Sequence, residues 1–452
     1  MKLCVDSIRD CLDSGIPSSI ATCAPDGTPN VTFVSQVEYV DADHVALTFQ
    51  FFNKTRENIL ARPRALLYLT NSQTGASYRL TVQYLRTESE GPLFERMKAR
   101  LSGIASHTGM TGIFRLRGSD IYRVLDIEAV AGIVPLRPLP PRLNLLSALR
   151  NASIAMAGCS DLDTLLDELL RQLQRGFGIE YAMLLLVDRE RQRLYTVASC
   201  GYSESGVGSE IGLGEGVIGV AAAQRTPIRI SYMTLEYGYS RAVRDTVQHS
   251  GFDALLQTEI PFPGLAQPHS QLAVPILAND ELLGVLYVES PEANRHGYDD
   301  EDALVTLTTQ VAAMLQRYGQ ENADSESGSG DAAPGIPANG APLLVRRYAE
   351  NDSVFIDDQY LIKGVAACIL WRMLNDHVRE GRSEFTNREL RLDPALKLPD
   401  FSDNLEARLT LLNRRLGERC KALRLHKVGR GRFRLEVTRP LKLIEITRPE
   451  TA

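Results

Sequence analysis

The sequence contains no segment of about 20 apolar residues, the length that crosses a bilayer as a helix. Its N-terminus also lacks the unbroken apolar stretch of a secretory signal, because Arg9 and three aspartates interrupt it. Cysteine is scarce, with 7 in 452 residues, and no Cys-x-x-Cys pair or His/Cys cluster at zinc spacing occurs. We therefore expect a cytoplasmic protein without a membrane partner or a metal site. Its cysteines should be buried thiols in a reducing compartment, with Cys200, in a glycine-flanked turn, as the redox candidate.

Two stretches of unusual composition divide the chain. Residues 133–142 contain four prolines, which predicts a stiff, extended connector. Residues 321–342 combine Gly, Ser, Ala and Pro with almost no large apolar side chain, which predicts a flexible linker. At about 150 residues per domain, the length agrees with three units. We predict a multidomain α+β protein with domains at 1–132, 143–320 and 343–445.

Residues 1–132 are rich in predicted strands, and an antiparallel barrel is expected because it leaves no open sheet edge. The informative segment is a strand end that runs directly into a helix. A hydroxyl, two cations and backbone N–H groups converge there, as a phosphate site requires, and the aromatic strand before them could face a flavin ring. The candidate residues are Phe49, Gln50, Phe51, Asn53, Lys54, Thr55 and Arg56.

This segment resembles the FMN-binding split barrel of the pyridoxamine phosphate oxidase superfamily. In that family an N-(I/L)-x-x-x-P-R helix follows the basic turn, and Asn58, Ile59, Pro63 and Arg64 fill the pattern. The resemblance covers about residues 5–130. It implies a homodimeric split β-barrel with FMN at the subunit interface, and it adds Asn58 to the cofactor-binding residues. The alternative is a barrel that keeps the fold without flavin, with the cations solvated. No catalytic residue for pyridoxal chemistry is recognisable.

Residues 143–320 begin and end with predicted amphipathic helices that enclose two hairpins. The run Gly-Leu-Gly-Glu-Gly-Val-Ile-Gly at 212–219 turns the chain into a short helix and is not a dinucleotide fingerprint, because no βαβ unit surrounds it. With Ala-Val-Pro-Ile at 273–276 and Leu-Gly-Val-Leu at 283–286, it resembles a GAF domain over about residues 145–318. The resemblance implies an α/β sandwich with a cup for a small molecule and helices that commonly dimerise.

A lid over this cup is expected within residues 228–270. Aromatic and cationic side chains there could bind a planar or anionic ligand, although they would equally suit an ordinary loop. The candidate ligand-binding residues are Tyr232, Tyr237, Tyr239, Arg241 and Arg244.

The last domain concentrates positive charge. From Asp403 to Glu436 there are ten Lys/Arg against four Asp/Glu, a net charge of +6 in a chain whose total is −6. One helix there has leucines three and four residues apart, which predicts a buried face with arginines beside it. This density suits the phosphates of nucleic acid, although a charge run is usually a solvated face.

The predicted order of hairpin, three helices and basic hairpin in residues 343–437 resembles the OmpR/PhoB-type winged helix-turn-helix. That resemblance implies a third helix in the major groove of double-stranded DNA and a hairpin, the wing, on the adjacent phosphates. The helix candidates are Arg408, Arg414, Arg415 and Arg419, and the wing candidates are Lys427, Arg430, Arg432 and Arg434. Residues 390–403 depart from the family's usual loop.

These inferences predict a homodimeric transcriptional regulator whose DNA affinity responds to flavin state or to a small molecule in the cup. A coupling of roughly 1–3 kcal/mol between sensor and DNA-binding domain would suffice, and a loose linker favours control by dimerisation or masking. The alternative from another class is a flavin-dependent oxidoreductase with accessory GAF and winged-helix modules. A third is a winged helix that binds protein and no DNA.

Overall fold

The computed structural model describes residues 3–12, 18–50, 53–71, 74–107, 116–130, 143–231, 260–323, 341–357, 359–396, 405–429 and 431–446. The predicted proline-rich connector lies outside these residues, and so do most of the predicted linker and most of the expected lid. We call residues 3–130 the N-terminal region, 143–323 the central region and 341–446 the C-terminal region. No helix in the ranges above is long and apolar enough to cross a membrane.

The N-terminal region forms one seven-stranded antiparallel sheet. Its elements are α1 (Arg9–Leu12), β1 (Ser18–Cys23), β2 (Pro29–Val34), β3 (Val37–Asp41), β4 (His44–Phe49), α2 (Lys54–Ala61), β5 (Arg64–Thr70), β6 (Ser77–Glu88), α3 (Pro92–His107) and β7 (Gly118–Ala129). The strand order is β2-β1-β5-β6-β7-β4-β3. Burial in β5 alternates: Leu67 and Leu69 face the core, whereas Leu66 and Tyr68 are exposed on the outer face.

The central region is a six-stranded antiparallel sheet covered by helices on both faces. Its elements are α4 (Leu145–Ala157), α5 (Leu162–Gly176), β8 (Tyr181–Asp188), β9 (Arg193–Cys200), β10 (Glu210–Gly212), α6 (Gly216–Gln224), β11 (Ile228–Ile230), β12 (Ser270–Ala278), β13 (Glu281–Ser290) and α7 (Tyr298–Ala323). The strand order is β10-β9-β8-β13-β12-β11. The predicted hairpin of β12 and β13 is present and turns at Asn279-Asp280, with φ of 49° and 62°, as a tight two-residue turn requires.

The C-terminal region contains two small sheets around three helices. Its elements are β14 (Leu343–Tyr348), β15 (Ser353–Ile356), β16 (Gln359–Lys363), α8 (Val365–Glu380), β17 (Glu384–Thr386), α9 (Asn387–Leu392), α10 (Leu405–Arg419), β18 (Leu423–Gly429), β19 (Arg432–Val437) and β20 (Leu441–Ile446). The sheet orders are β16-β15-β14-β20, with β14 and β20 parallel, and β17-β19-β18.

Two local features of the C-terminal region depend on residues only a few positions apart, and the second confirms the predicted leucine face. The capping box forms at the start of α9: Oγ1 of Thr386 accepts a hydrogen bond from the Glu389 N–H at 3.2 Å, and Oε1 of Glu389 accepts one from the Thr386 N–H at 3.0 Å. The leucine face of α10 is also buried. Its members Leu405, Leu409, Leu412 and Leu416 are at most 2% exposed.

A buried charge cluster joins the N-terminal region to the central region. The carboxylate of Glu38 in β3 pairs with Arg100 at 2.5 Å and with Arg96 at 3.1 Å, both from α3. The hydroxyl of Tyr298, the first residue of α7, accepts hydrogen bonds from Arg100 at 3.3 Å and from the Tyr39 N–H at 3.3 Å. These polar contacts hold α7 against the first sheet.

Candidate functional site

The basic turn between β4 and α2 is organised around Arg56. The N-cap residue Asn53 accepts a hydrogen bond from the Arg56 N–H at 3.1 Å. The Arg56 side chain points into the sheet, where it donates to Asp120 Oδ1 at 2.6 Å and to Thr87 Oγ1 at 2.9 Å. Its guanidinium carbon lies 4.4 Å from the centre of the Phe49 ring. Two of the predicted cofactor residues, Phe49 and Arg56, therefore contact each other.

The other residues predicted for this turn divide between surface and core. Lys54 is exposed and forms an ion pair with a glutamate one turn on, and Thr55 accepts a hydrogen bond from an asparagine of β2. Gln50 and Asn58 are buried, and each has a side-chain oxygen without a partner in the part of the chain that the structure describes. Phe51 lies outside the described residues.

The turn fits a phosphate group in part. Lys54 and the first N–H groups of α2, apart from the Arg56 N–H that donates to Asn53, suit an anion. Arg56 is engaged elsewhere: burial works against its charge, but the Asp120 carboxylate outweighs burial and raises the pKa of Arg56 above its ordinary value. A phosphate at this turn would therefore depend on Lys54 and the helix N-terminus first.

A cavity of about 240 Å³ lies on the α6 face of the central sheet. Its apolar wall includes Ile211 of β10, Val217 and Ile218 of α6, and Phe262 in the chain that leads to β12. Gly219 allows α6 to lie this close to β10, because a Cβ there would meet the Gly212 carbonyl oxygen at 2.2 Å.

Polar side chains from two paired strands also line this cavity. Gln271 of β12 is the register partner of Glu289 of β13, and both are at most 2% exposed. The Glu289 carboxylate accepts hydrogen bonds from the Tyr287 hydroxyl at 2.9 Å and from the Leu265 N–H at 2.7 Å. Oε1 of Gln271 has no hydrogen-bond partner among the described residues. A buried acceptor of this kind calls for a donor.

We call this cavity the cup. The sequence did not indicate the polar residues that line it. Gln271 and Glu289 interrupt two apolar strands, and that interruption was the available signal. The predicted lid residues Tyr232, Tyr237, Tyr239, Arg241 and Arg244 all lie outside the described residues. Cys200 is half-buried, and burial raises the pKa of its thiol, which keeps it protonated and poorly nucleophilic.

The four arginines of α10 lie in different surroundings. Arg408 is buried, with Nη2 2.9 Å from Asp188 Oδ2 and the guanidinium carbon 4.2 Å from the centre of the Tyr195 ring. Arg415 is also buried, and its Nε donates to the Leu361 carbonyl oxygen of β16 at 2.9 Å. Arg415 therefore ties α10 to its own sheet, whereas Arg408 faces the central region.

Basic side chains of the C-terminal region pair with carboxylates of the central region. The N–O distances are 3.4 Å for Lys363–Glu210, 2.9 Å for Arg408–Asp188, 2.8 Å for Arg414–Asp163, 2.6 Å for Arg414–Asp167, 3.4 Å for Arg419–Glu204 and 3.7 Å for Lys427–Asp161. All of these pairs have the cation in the C-terminal region. The sequence did not indicate a role for these carboxylates, because each has its partner in another domain.

The predicted wing is the β18–β19 hairpin. Lys427 pairs with Glu406 at 2.9 Å, and Arg434 pairs with Glu384 of β17 at 2.7 Å while remaining 41% exposed. Arg432 is partly exposed on the same strand as Arg434, and Arg430 lies outside the described residues.

Family models match two parts of the chain. Residues 5–130 match the pyridoxamine 5′-phosphate oxidase family, and residues 161–315 match the GAF domain. The chain therefore contains a domain of the FMN-binding split-barrel type and a GAF domain, as their motifs predicted. None of the curated proteins compared with it matches the chain.

Solved structures resemble the same two domains. The GAF domain of an Acinetobacter phosphoenolpyruvate-protein phosphotransferase is 22% identical and covers 39% of this chain and 94% of its own, with a TM-score of 0.31. An FMN-binding protein from Syntrophomonas wolfei is 16% identical and covers 28% of this chain and 87% of its own, with a TM-score of 0.24. The free methionine-R-sulfoxide reductase of Neisseria meningitidis is 18% identical and covers 38% and 88%, with a TM-score of 0.28.

Proposed function

We propose that this protein is a ligand-responsive transcriptional regulator that binds double-stranded DNA through its C-terminal region, a winged helix-turn-helix. The observation that carries the proposal is the positive charge along the third helix of the region and the hairpin after it, where the described residues of 405–436 hold nine Lys/Arg against three Asp/Glu, a net charge of +6. In this proposal α10 reads the major groove and the β18–β19 hairpin contacts phosphate. Cytoplasmic location belongs to the same proposal.

Replacing two wing cations, Arg432→Gln with Arg434→Gln, should weaken duplex binding about tenfold or more at low ionic strength. Loss of two phosphate contacts should also lower the slope of log K against log salt by about 2, since each contact releases nearly one counterion. Fluorescence anisotropy of the full chain with a labelled mixed-sequence duplex measures both quantities. The control, Arg86→Gln with Arg175→Gln, removes two exposed charges from the other regions and should change neither. Equal losses in both variants would refute a DNA-binding wing.

A dimer would present two such domains to paired half-sites, and an exposed apolar surface supports it. Val31 and Phe33 of β2 are 68% and 77% exposed, and they lie in rows with the exposed Leu66 and Tyr68 of β5. Single apolar side chains are normal on a surface, but a contiguous outer face suits a second copy. A monomeric mass by light scattering would contradict this.

The cup is proposed to take a small molecule with an apolar body and a hydrogen-bond-donating head, such as an amine or amide. Ile211 and Phe262 supply the apolar contact, and the oxygens of Gln271 and Glu289 accept from the head. Primary alkylamines should therefore raise the unfolding temperature of the wild type. Gln271→Leu, which removes the unpaired acceptor, should reduce this shift by at least half. An unchanged shift in that variant would place the ligand elsewhere.

The split-barrel domain is proposed to hold FMN, with its phosphate at Lys54 and the first turn of α2. The match of residues 5–130 to a flavin-binding family supports this, and it equally supports the competing function, a flavin-dependent oxidoreductase. NAD(P)H-driven turnover by yellow purified protein would favour the enzyme, and salt-sensitive duplex binding favours the regulator.

A further inference from the structure

The helix that we propose reads DNA is buried on every side along its first two turns. Residues 405–412 are all buried, although the leucine stripe that packs on the C-terminal core needs only one face of the helix. The remaining faces lie against α5, α7 and β9 of the GAF domain. A helix in this position cannot enter a major groove, which admits a helix only with one side open.

We propose that the GAF domain masks α10 by presenting carboxylates where DNA would present phosphates. This inference rests on the proposed function and concerns its regulation. The carboxylates that pair with the basic side chains are Asp161, Asp163, Asp167, Asp188, Glu204 and Glu210. Because duplex DNA and this acidic face need the same cations, occupation by one excludes the other.

The pair between Arg408 and Asp188 is the centre of the masking contact. The Arg408 side chain is 7% exposed and that of Asp188 is 11% exposed, so both charges are largely removed from water. Arg408 also packs over the ring of Tyr195 in β9. Removing one partner of a buried ion pair is strongly destabilising. The masked arrangement therefore depends on Asp188 more than on the peripheral pairs.

The cup and the masking contact share two strands. Ile211 of β10 lines the cup together with α6, on the same face as Leu194 of β9. Their chain neighbours Glu210 and Tyr195 pair with each other in register and face the C-terminal region, where Glu210 binds Lys363. The two sites therefore lie on opposite faces of β9 and β10. A ligand that displaces β10 would also displace Glu210, which holds Lys363 in the masking contact. Such a ligand shifts the equilibrium by its difference in affinity for the two states.

The test compares Asp188→Asn with Glu180→Gln in the full chain. Glu180 directly precedes β8 and Asp188 is its last residue, and each substitution removes one negative charge. Asparagine can still accept the hydrogen bond that Asp188 receives from the Arg191 N–H, so the turn stays supported. Hydrogen exchange of residues 405–419 reports whether α10 is covered, and anisotropy with a labelled duplex reports DNA binding.

Asp188→Asn should raise exchange in α10 and strengthen duplex binding at least about tenfold, because it removes a carboxylate that Arg408 contacts only in the masked state. Asp163→Asn with Asp167→Asn should act in the same direction through Arg414, and Glu180→Gln should stay within twofold of the wild type. Faster exchange with unchanged duplex affinity would overturn masking, and so would unchanged exchange. Faster exchange with no duplex binding in any variant would overturn the proposed function itself and leave an interdomain contact of another purpose.

Discussion

Glu38→Gln should lower the free energy of unfolding of the split-barrel domain by about 3–5 kcal/mol, because it removes the Glu38 carboxylate from the buried Arg100 and the partly buried Arg96. Arg100 and Arg96 pair with Glu38 across the contact between α3 and β3, and the side chains of Glu38 and Arg100 are 2% and 7% exposed. Glutamine has nearly the same shape, so the loss would come from charge. Equilibrium denaturation followed by a probe in this domain measures it.

The same substitution should change how stability depends on pH. Burial alone would raise the pKa of Glu38, but Arg100 and Arg96 outweigh burial and hold that pKa below its ordinary value. A lowered pKa contributes stability above the ordinary glutamate pKa, and that contribution disappears as the pH falls through the lowered value. The wild type should therefore lose its advantage over Glu38→Gln in acid.

Glu128→Gln is the matched control for Glu38→Gln. Glu128 pairs with Arg79, but both side chains are more than half exposed, so its removal should cost less than about 1 kcal/mol. Equal losses for the two variants would show that the buried cluster contributes no more than a surface pair.

Arg56→Met should destabilise the same domain by about 3 kcal/mol, because it leaves Asp120 buried without a cation. Burial raises the pKa of Asp120 above its ordinary value, which reflects how poorly the site tolerates a carboxylate alone. The double variant Arg56→Met with Asp120→Asn should regain most of the loss while keeping an acceptor for Thr87. Denaturation of the wild type, Arg56→Met, Asp120→Asn and the double variant forms a double-mutant cycle that isolates the pair.

FMN titration separates this structural role from a phosphate-binding role. Lys54→Gln should weaken FMN binding, since its exposed ammonium is available to an anion. The double variant at Arg56 and Asp120 should bind FMN within about threefold of the wild type. If it instead loses FMN as completely as Lys54→Gln, Arg56 leaves Asp120 when the cofactor binds.

At the basic turn between β4 and α2, the sequence predicts the local backbone structure but not the partner of the Arg56 side chain. The helix from Lys54 to Ala61 and its Asn53 cap follow from neighbouring residues, and the structure has both. The destination of the Arg56 side chain follows from Asp120, which is distant in sequence and adjacent only because β7 pairs with β4 and β6. A strand pairing of this kind cannot be inferred from a local pattern.

The GAF domain shows the same division. Its glycine run and hairpins were recognisable because turns and close approaches demand particular residue types. The polar end of the cup was not recognisable from the sequence, because Gln271 and Glu289 come together only when β12 and β13 pair.

The local features of this chain follow from the sequence alone. They are the amphipathic helices, the capping box at Thr386, the leucine stripe of α10 and the surplus of positive charge near the C-terminus. These features depend on side chains within a few positions of each other. Whether that charge faces solvent or a protein partner was decided only by folding, which brings Arg408 against Asp188 and Tyr195. Charge is a property of the residue, whereas its accessibility is a property of everything that packs around it.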